Sequence, residues 1–112
     1  MFWLRSKMGP KGEVSEMTVK VTDEDLVLTG PGTIAGKFMR MFWQPVARSE
    51  DLPAGQAKPC RIMSEDFTLY RVQTGRAHAV GNRCAHRHVQ LSTGFVEDDC
   101  IRCLYHGWKF DA

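Results

Sequence analysis

The sequence predicts an all-β fold of short antiparallel strands, preceded by one short helix. Apolar residues alternate in "DFTLYRVQTGRAHAVGN", where "QTG" separates two runs and Gly75 suits the positive φ of a hairpin loop. "STGFVEDDCIRC" repeats this pattern around a tight "EDD" turn, and "QPVA" and "KPCRIM" are further short runs. Many short strands with closely spaced turns are typical of a small sandwich or barrel.

The short helix is predicted immediately after the breaker cluster "TGPGT". Thr33 is a suitable N-cap, because its side-chain oxygen can accept a hydrogen bond from the first turn. Ile34, Phe38, Met41 and Phe42 recur at helical spacing, which predicts about three turns. We expect this helix to cover the sheet with its apolar face.

Length and charge exclude several classes of protein. A chain of 112 residues is at most one domain. Its net charge is +2, and its acidic and basic residues are interspersed, without the basic stripe of a nucleic-acid-binding protein. No apolar run approaches the ~20 residues of a membrane span, and the N-terminus lacks a signal peptide. We therefore expect a cytoplasmic location, where cysteines more often bind metals or act as catalytic thiols than form disulfides.

Two short motifs carry the chemistry. Cys84-x-His86 is followed after sixteen residues by Cys103-x-x-His106, so each motif offers one thiolate and one imidazole from one loop. Two thiolates on one iron and two imidazoles on the other can hold a two-iron, two-sulfide cluster. Gly107 follows the second histidine directly and allows a close approach of the backbone.

Other interpretations of these residues compete with a cluster. Cys100-x-x-Cys103 has zinc-ribbon spacing, and Cys84, His86 or His106 could complete a tetrahedral zinc site. We rank the zinc site lower because it leaves one of the four ligands unexplained. The three acids at 97–99 suggest paired carboxylates, but adjacent acids in a turn are more often a solvated tip.

The two motifs resemble those of a Rieske iron–sulfur domain. "GKFMRMFWQPVARSEDLPAG", "CAHR" and "YHGWKFD" are similar to the oxygenase component of aromatic-ring-hydroxylating Rieske non-haem iron oxygenases, of the phthalate-dioxygenase-like subgroup. The resemblance implies that Cys84 and Cys103 bind the buried iron, and that His86 and His106 bind the outer iron. His88 departs from the family, which often has a small residue there. It could be a ligand, a proton-exchanging neighbour or an exposed side chain, and we expect the last.

The resemblance also implies a domain organisation. Residues 1–21 would be a flexible tail, residues 22–42 an extension with the short helix, and residues 43–112 a C-terminally incomplete Rieske [2Fe-2S] domain. The mononuclear Fe(II) of such oxygenases lies in a later catalytic domain, so we assign no catalytic residue here. We expect this chain to be the N-terminal part of a longer oxidoreductase.

The implied function is one-electron transfer. The cluster would pass electrons from a reductase or ferredoxin to the mononuclear iron, and the full-length protein would be a homo-oligomer with no nucleic-acid or membrane partner. Two alternatives stay open, a free-standing Rieske-type ferredoxin and a structural zinc-binding module. High-potential Rieske relatives carry serine and tyrosine where this sequence has Trp108 and Phe110, which implies a low reduction potential.

Overall fold

The computed structural model describes residues 20–112, so most of the tail predicted for residues 1–21 lies outside the described part of the chain. The chain divides into two compact units between Gln44 and Pro45. Within the described residues, no helix has both the length and the apolar character needed to cross a membrane.

The first unit contains a helix that the sequence analysis missed. Helix α1 spans Asp23–Val27. Thr22 and Asp25 form a capping box, in which the Asp25 carboxylate accepts from the Thr22 backbone N–H at 2.9 Å. The Thr22 hydroxyl oxygen in turn accepts from the Asp25 backbone N–H at 3.4 Å. The spacing of these two residues in the sequence could have predicted the helix.

The predicted helix is present but shorter than expected. Helix α2 spans Ile34–Met39, and Thr33 is its N-cap, accepting from the Gly36 backbone N–H at 3.1 Å. Beyond Met39 the bonds change to the i→i+3 pattern, with Met41 and Phe42 donating to the carbonyls three residues earlier. The apolar residues therefore keep a helix-like spacing in the tight turns that follow α2, which explains why a helix of three turns was predicted.

The second unit consists of two three-stranded antiparallel sheets, which confirms the all-β prediction. The strands are β1 Ala57–Ile62, β2 Glu65–Arg71, β3 Ala77–Gly81, β4 Phe95–Glu97, β5 Cys100–Arg102 and β6 Lys109–Phe110. The first sheet has the order β1-β2-β3 and the second the order β4-β5-β6.

The predicted turns lie where the sequence placed them. Gly75 has φ 91° in the loop that joins β2 and β3, and the β4–β5 turn has a positive φ of 52° at Asp98. Residues 44–47, in contrast, form no strand. Pro45 has no N–H to donate to a ladder, which is the reason that this run cannot join a sheet interior.

The core of the second unit includes both candidate cysteine ligands. Its buried residues come from both sheets and from the loops between them, and are Tyr70, Val72, Cys84, Leu91, Ile101 and Cys103. A buried hydrogen bond of 2.9 Å from the Thr68 hydroxyl to the Asn82 side-chain oxygen lies two residues before Cys84. The thiols are therefore fixed in well-packed surroundings, as a preorganised metal site requires.

Candidate metal centre

Two hairpin loops carry the four predicted ligands. The first ligand loop, residues 84–89, closes at an antiparallel bridge between Arg83 and Gln90. The second ligand loop, residues 103–108, closes at the paired residues Arg102 and Lys109 of β5 and β6. Each loop therefore contains six residues and is closed by one pair of residues, which we call its stem.

The two loops have the same backbone hydrogen bonds. In each, the cysteine N–H donates to the carbonyl five residues later, and the N–H four residues later donates back to the cysteine carbonyl. The bonds are Cys84 to Val89 (2.8 Å), His88 to Cys84 (2.8 Å), Cys103 to Trp108 (2.8 Å) and Gly107 to Cys103 (3.1 Å). This repeat was not predicted, although "RCAHRHV" and "RCLYHGW" align in the sequence without a gap.

The two cysteines meet in the interior. Cys84 and Cys103 are each 2% exposed, both are free thiols, and their sulfur atoms share a hydrogen bond. Burial raises the pKa of Cys84, but the backbone N–H groups of His86 and Arg87 and the Cys103 thiol outweigh it and lower the pKa overall. The surroundings of Cys84 therefore stabilise its thiolate, the form of cysteine that binds metals.

The two histidines meet at the surface. The ring centroids of His86 and His106 lie 4.5 Å apart, and both residues are exposed. Trp108 stacks on His86 with an interplanar angle of 7° and a distance of 5.1 Å between ring centroids. The ring centroids of Tyr105 and His106 lie 3.9 Å apart. The imidazoles therefore lie against aromatic rings and belong to exposed residues.

Cys100 lies apart from this arrangement. It is a half-buried residue of β5, opposite Glu97 of β4, and not part of either ligand loop. Between residues 20 and 112, no three His, Cys, Asp or Glu residues are grouped so that they could hold one metal ion. The candidate ligands instead form a thiol pair and an imidazole pair, a donor set that fits two irons with different ligands.

His88 has a backbone role that the sequence analysis did not identify. Its φ is +56°, and Gly107, at the equivalent position of the second ligand loop, has φ +77°. The side chain of His88 is exposed, as expected. Position 88 therefore has a left-handed backbone, in which histidine is strained.

We expect His88→Gly to stabilise the protein by about 1 kcal/mol, because glycine adopts this φ without strain. His88→Ala is the matched control, since it removes the same imidazole but keeps a Cβ at the strained position. Chemical denaturation of the three proteins measures the difference. An equal gain from alanine would show that the side chain, and not the backbone, is responsible.

Two matching hairpin loops that present a buried thiol pair and a surface imidazole pair define a small iron–sulfur domain. The chain belongs to the family described as "Rieske [2Fe-2S] domain", whose model matches residues 42–112. The predicted family and its [2Fe-2S] cofactor are thereby confirmed.

Similar curated proteins include oxygenase subunits. The chain is 42% identical over 94 residues to the tert-butanol monooxygenase / tert-amyl alcohol desaturase oxygenase subunit of Aquincola tertiaricarbonis, covering 84% of this chain and 20% of that protein. It is 40% identical over 79 residues to the phthalate 4,5-dioxygenase oxygenase subunit of Pseudomonas putida, covering 69% and 18%. The chain thus spans about a fifth of the length of these relatives.

Solved structures have the same fold. The terminal oxygenase of carbazole 1,9a-dioxygenase from Novosphingobium sp. KA1 matches with a TM-score of 0.55 and 35% identity, over 62% of this chain and 19% of that chain. A chain in the complex of reduced oxygenase and oxidized ferredoxin in carbazole 1,9a-dioxygenase matches with a TM-score of 0.53 and 28% identity, over 62% and 64%.

Proposed function

We propose that this chain holds its [2Fe-2S] cluster with Cys84 and Cys103 on one iron and His86 and His106 on the other. The cluster then carries one electron at a time from a ferredoxin or reductase to a mononuclear iron in the oxygenase component of an aromatic-compound oxygenase. The observation that carries the proposal is the pair of matching loops, with thiols together in the core and imidazoles together at the surface.

The burial of the two pairs supports electron exchange through the histidine side. Tyr70, Leu91 and Ile101 are buried and belong to the same core cluster as the cysteine pair. The exposed imidazoles are bordered by Tyr105 and Trp108, which are 58% and 51% exposed. A redox partner therefore comes nearest to the cluster at the histidines. The relative that was solved as a complex of oxygenase and ferredoxin is consistent with such a partner.

Anaerobic reconstitution with iron and sulfide tests the proposal. We expect two irons and two sulfides per chain, visible absorption, and an electron paramagnetic resonance spectrum of mixed cysteine and histidine ligation after one-electron reduction. A colourless zinc-binding product, or a spectrum typical of four cysteine ligands, would contradict it. The coding DNA beyond codon 112 distinguishes an oxygenase component, which continues into an iron-binding catalytic domain, from a free-standing ferredoxin.

We expect a reduction potential near the low end of the roughly −150 to +300 mV range of Rieske centres. Hydrogen bonds to the cluster sulfurs raise the potential, because they stabilise the more negative reduced state. Trp108 and Phe110 have no hydroxyl, and Phe110 packs against the core that contains both cysteines. Phe110→Tyr should therefore raise the potential by about 60 mV, the equivalent of one hydrogen bond of about 1.5 kcal/mol.

Voltammetry of the cluster-loaded protein measures this shift. Phe67→Tyr is the matched control, since it adds the same hydroxyl to β2 in the other sheet. A wild-type potential well above zero, or equal shifts in the two variants, would show that a hydroxyl at position 110 does not set the potential.

A further inference from the structure

Glu97 is an ion-pair centre at the end of β4. Its Oε1 accepts hydrogen bonds from Arg102 at 2.8 Å, and Lys109 Nζ lies 3.3 Å from its Oε2. The side chains of the three residues are 35–48% exposed. The expected solvated tip therefore applies to the exposed Asp98 and Asp99 but is wrong for Glu97. Hydrogen bonds from Arg102 and Lys109 lower the pKa of Glu97, so its carboxylate form is favoured.

The two cations of this network are the stem of the second ligand loop. Arg102 immediately precedes Cys103, Lys109 immediately follows Trp108, and the two stem residues are directly paired between β5 and β6. Like charges directly opposite each other destabilise a strand pair. Glu97 contacts both of them and supplies the compensating negative charge.

The first ligand loop is closed differently. Its stem pairs Arg83 with the uncharged Gln90, so no cation faces the arginine there. The Arg83 guanidinium instead donates to the His88 carbonyl inside the loop at 3.2 Å. The equivalent Arg102 is directed to Glu97 of β4, and its guanidinium also lies 5.0 Å from the Phe95 ring centroid. The two loops share a backbone but have different electrostatics at their stems.

We propose that Glu97 is a positioning residue, which holds the stem of the second ligand loop closed and so keeps Cys103 and His106 in place. The effect on the cluster rests on the proposed function above. Closure of the stem is a property of the polypeptide, and exchange of its backbone amides measures it independently of electron transfer.

Amide hydrogen exchange in Glu97→Gln tests the closure. We expect exchange at the Cys103 and Gly107 amides to accelerate about fivefold, the scale of a modest ion-pair loss. The equivalent amides of Cys84 and His88 serve as an internal control and should be unchanged. Glu50→Gln, which removes a carboxylate from an exposed pair with Arg48, should leave both loops unchanged.

A second variant separates positioning from general destabilisation. In Glu97→Gln/Lys109→Gln, Arg102 no longer faces a cation, so exchange in the second loop should return toward the wild-type rate. Equal acceleration in both loops, no acceleration, or no rescue by the double variant would overturn the proposal.

Cluster loss to a chelator is the functional readout. We expect the absorbance of cluster-loaded Glu97→Gln to decay about fivefold faster than that of the wild type, and the double variant to restore the rate. A wild-type chain that takes up no cluster would overturn the proposed function, while the exchange data would still decide the role of Glu97. Faster amide exchange in the second ligand loop alone, without faster cluster loss, would show that closure of the stem does not keep the ligands in place.

Discussion

Cys103→Ser is expected to abolish cluster binding, whereas Cys100→Ser leaves it intact. Cys103 is buried, contacts Cys84 and begins the second ligand loop, while Cys100 lies in β5 outside both loops. A serine hydroxyl does not supply the thiolate that iron requires. Since loss of an outer partner of a metal ligand already costs 10–100-fold in affinity, removal of the ligand itself should cost at least about 100-fold.

Iron and sulfide content, together with visible absorption after reconstitution, measure this difference. Cys100→Ser is a close control, because it makes the same substitution three residues away. A requirement for Cys100 together with Cys103 would instead support the zinc-ribbon interpretation. Denaturation after the same reconstitution should also show lower stability for Cys103→Ser, because metal binding at this site contributes to folding.

Gly94→Ala is expected to destabilise the second unit by about 3 kcal/mol. A Cβ at Gly94 would overlap the carbonyl oxygen of Arg102 and would crowd the carbonyl of Leu91 at 3.0 Å. Both obstacles are backbone atoms, which cannot rotate away, and overpacking of this kind typically costs 1–3 kcal/mol. The backbone angles of Gly94, φ −82° and ψ −168°, suit alanine, so the effect is purely steric.

The location of the clash predicts a second consequence. Arg102 directly precedes Cys103, so a displaced β5 moves the stem of the second ligand loop and should also weaken cluster retention. Gly81→Ala is the control, because a Cβ there meets nothing within 4 Å and its φ is not positive. It should stabilise the chain by about 0.4–1 kcal/mol, because alanine lowers the conformational entropy of the unfolded state. Equal effects of the two substitutions on denaturation would contradict the steric argument.

Local features were the ones that the sequence predicted well. The hairpin loop at Gly75, the tight turn at Asp98 and the N-cap at Thr33 each depend on neighbouring residues alone. The spacing of the four ligands is local too, since each motif lies within one loop, and it was enough to predict the family. The length of α2 was overestimated, because tight turns at Met41 and Phe42 continue the spacing of apolar residues that a helix would have.

Long-range features needed the folded chain. In the sequence, Glu97 is one of three adjacent acidic residues in a predicted turn. Only the pairing of β4 with β5 and of β5 with β6 brings its carboxylate to Arg102 and Lys109. The role of His88 was hidden for a related reason, because a positive φ is a property of the backbone that its exposed side chain does not reveal.

The sequence by itself determined the class of this protein, its all-β character and the four candidate ligands, because strand periodicity, turn chemistry and ligand spacing are properties of short stretches of chain. The tertiary structure alone decided that the thiols meet in the core while the imidazoles meet at the surface. It also decided that the two ligand loops, which begin nineteen residues apart, form the same backbone hydrogen bonds. The charged side chains that lie at each stem were likewise decided by the tertiary structure. Those outcomes depend on strand register, which is set by packing between residues that are distant in the sequence.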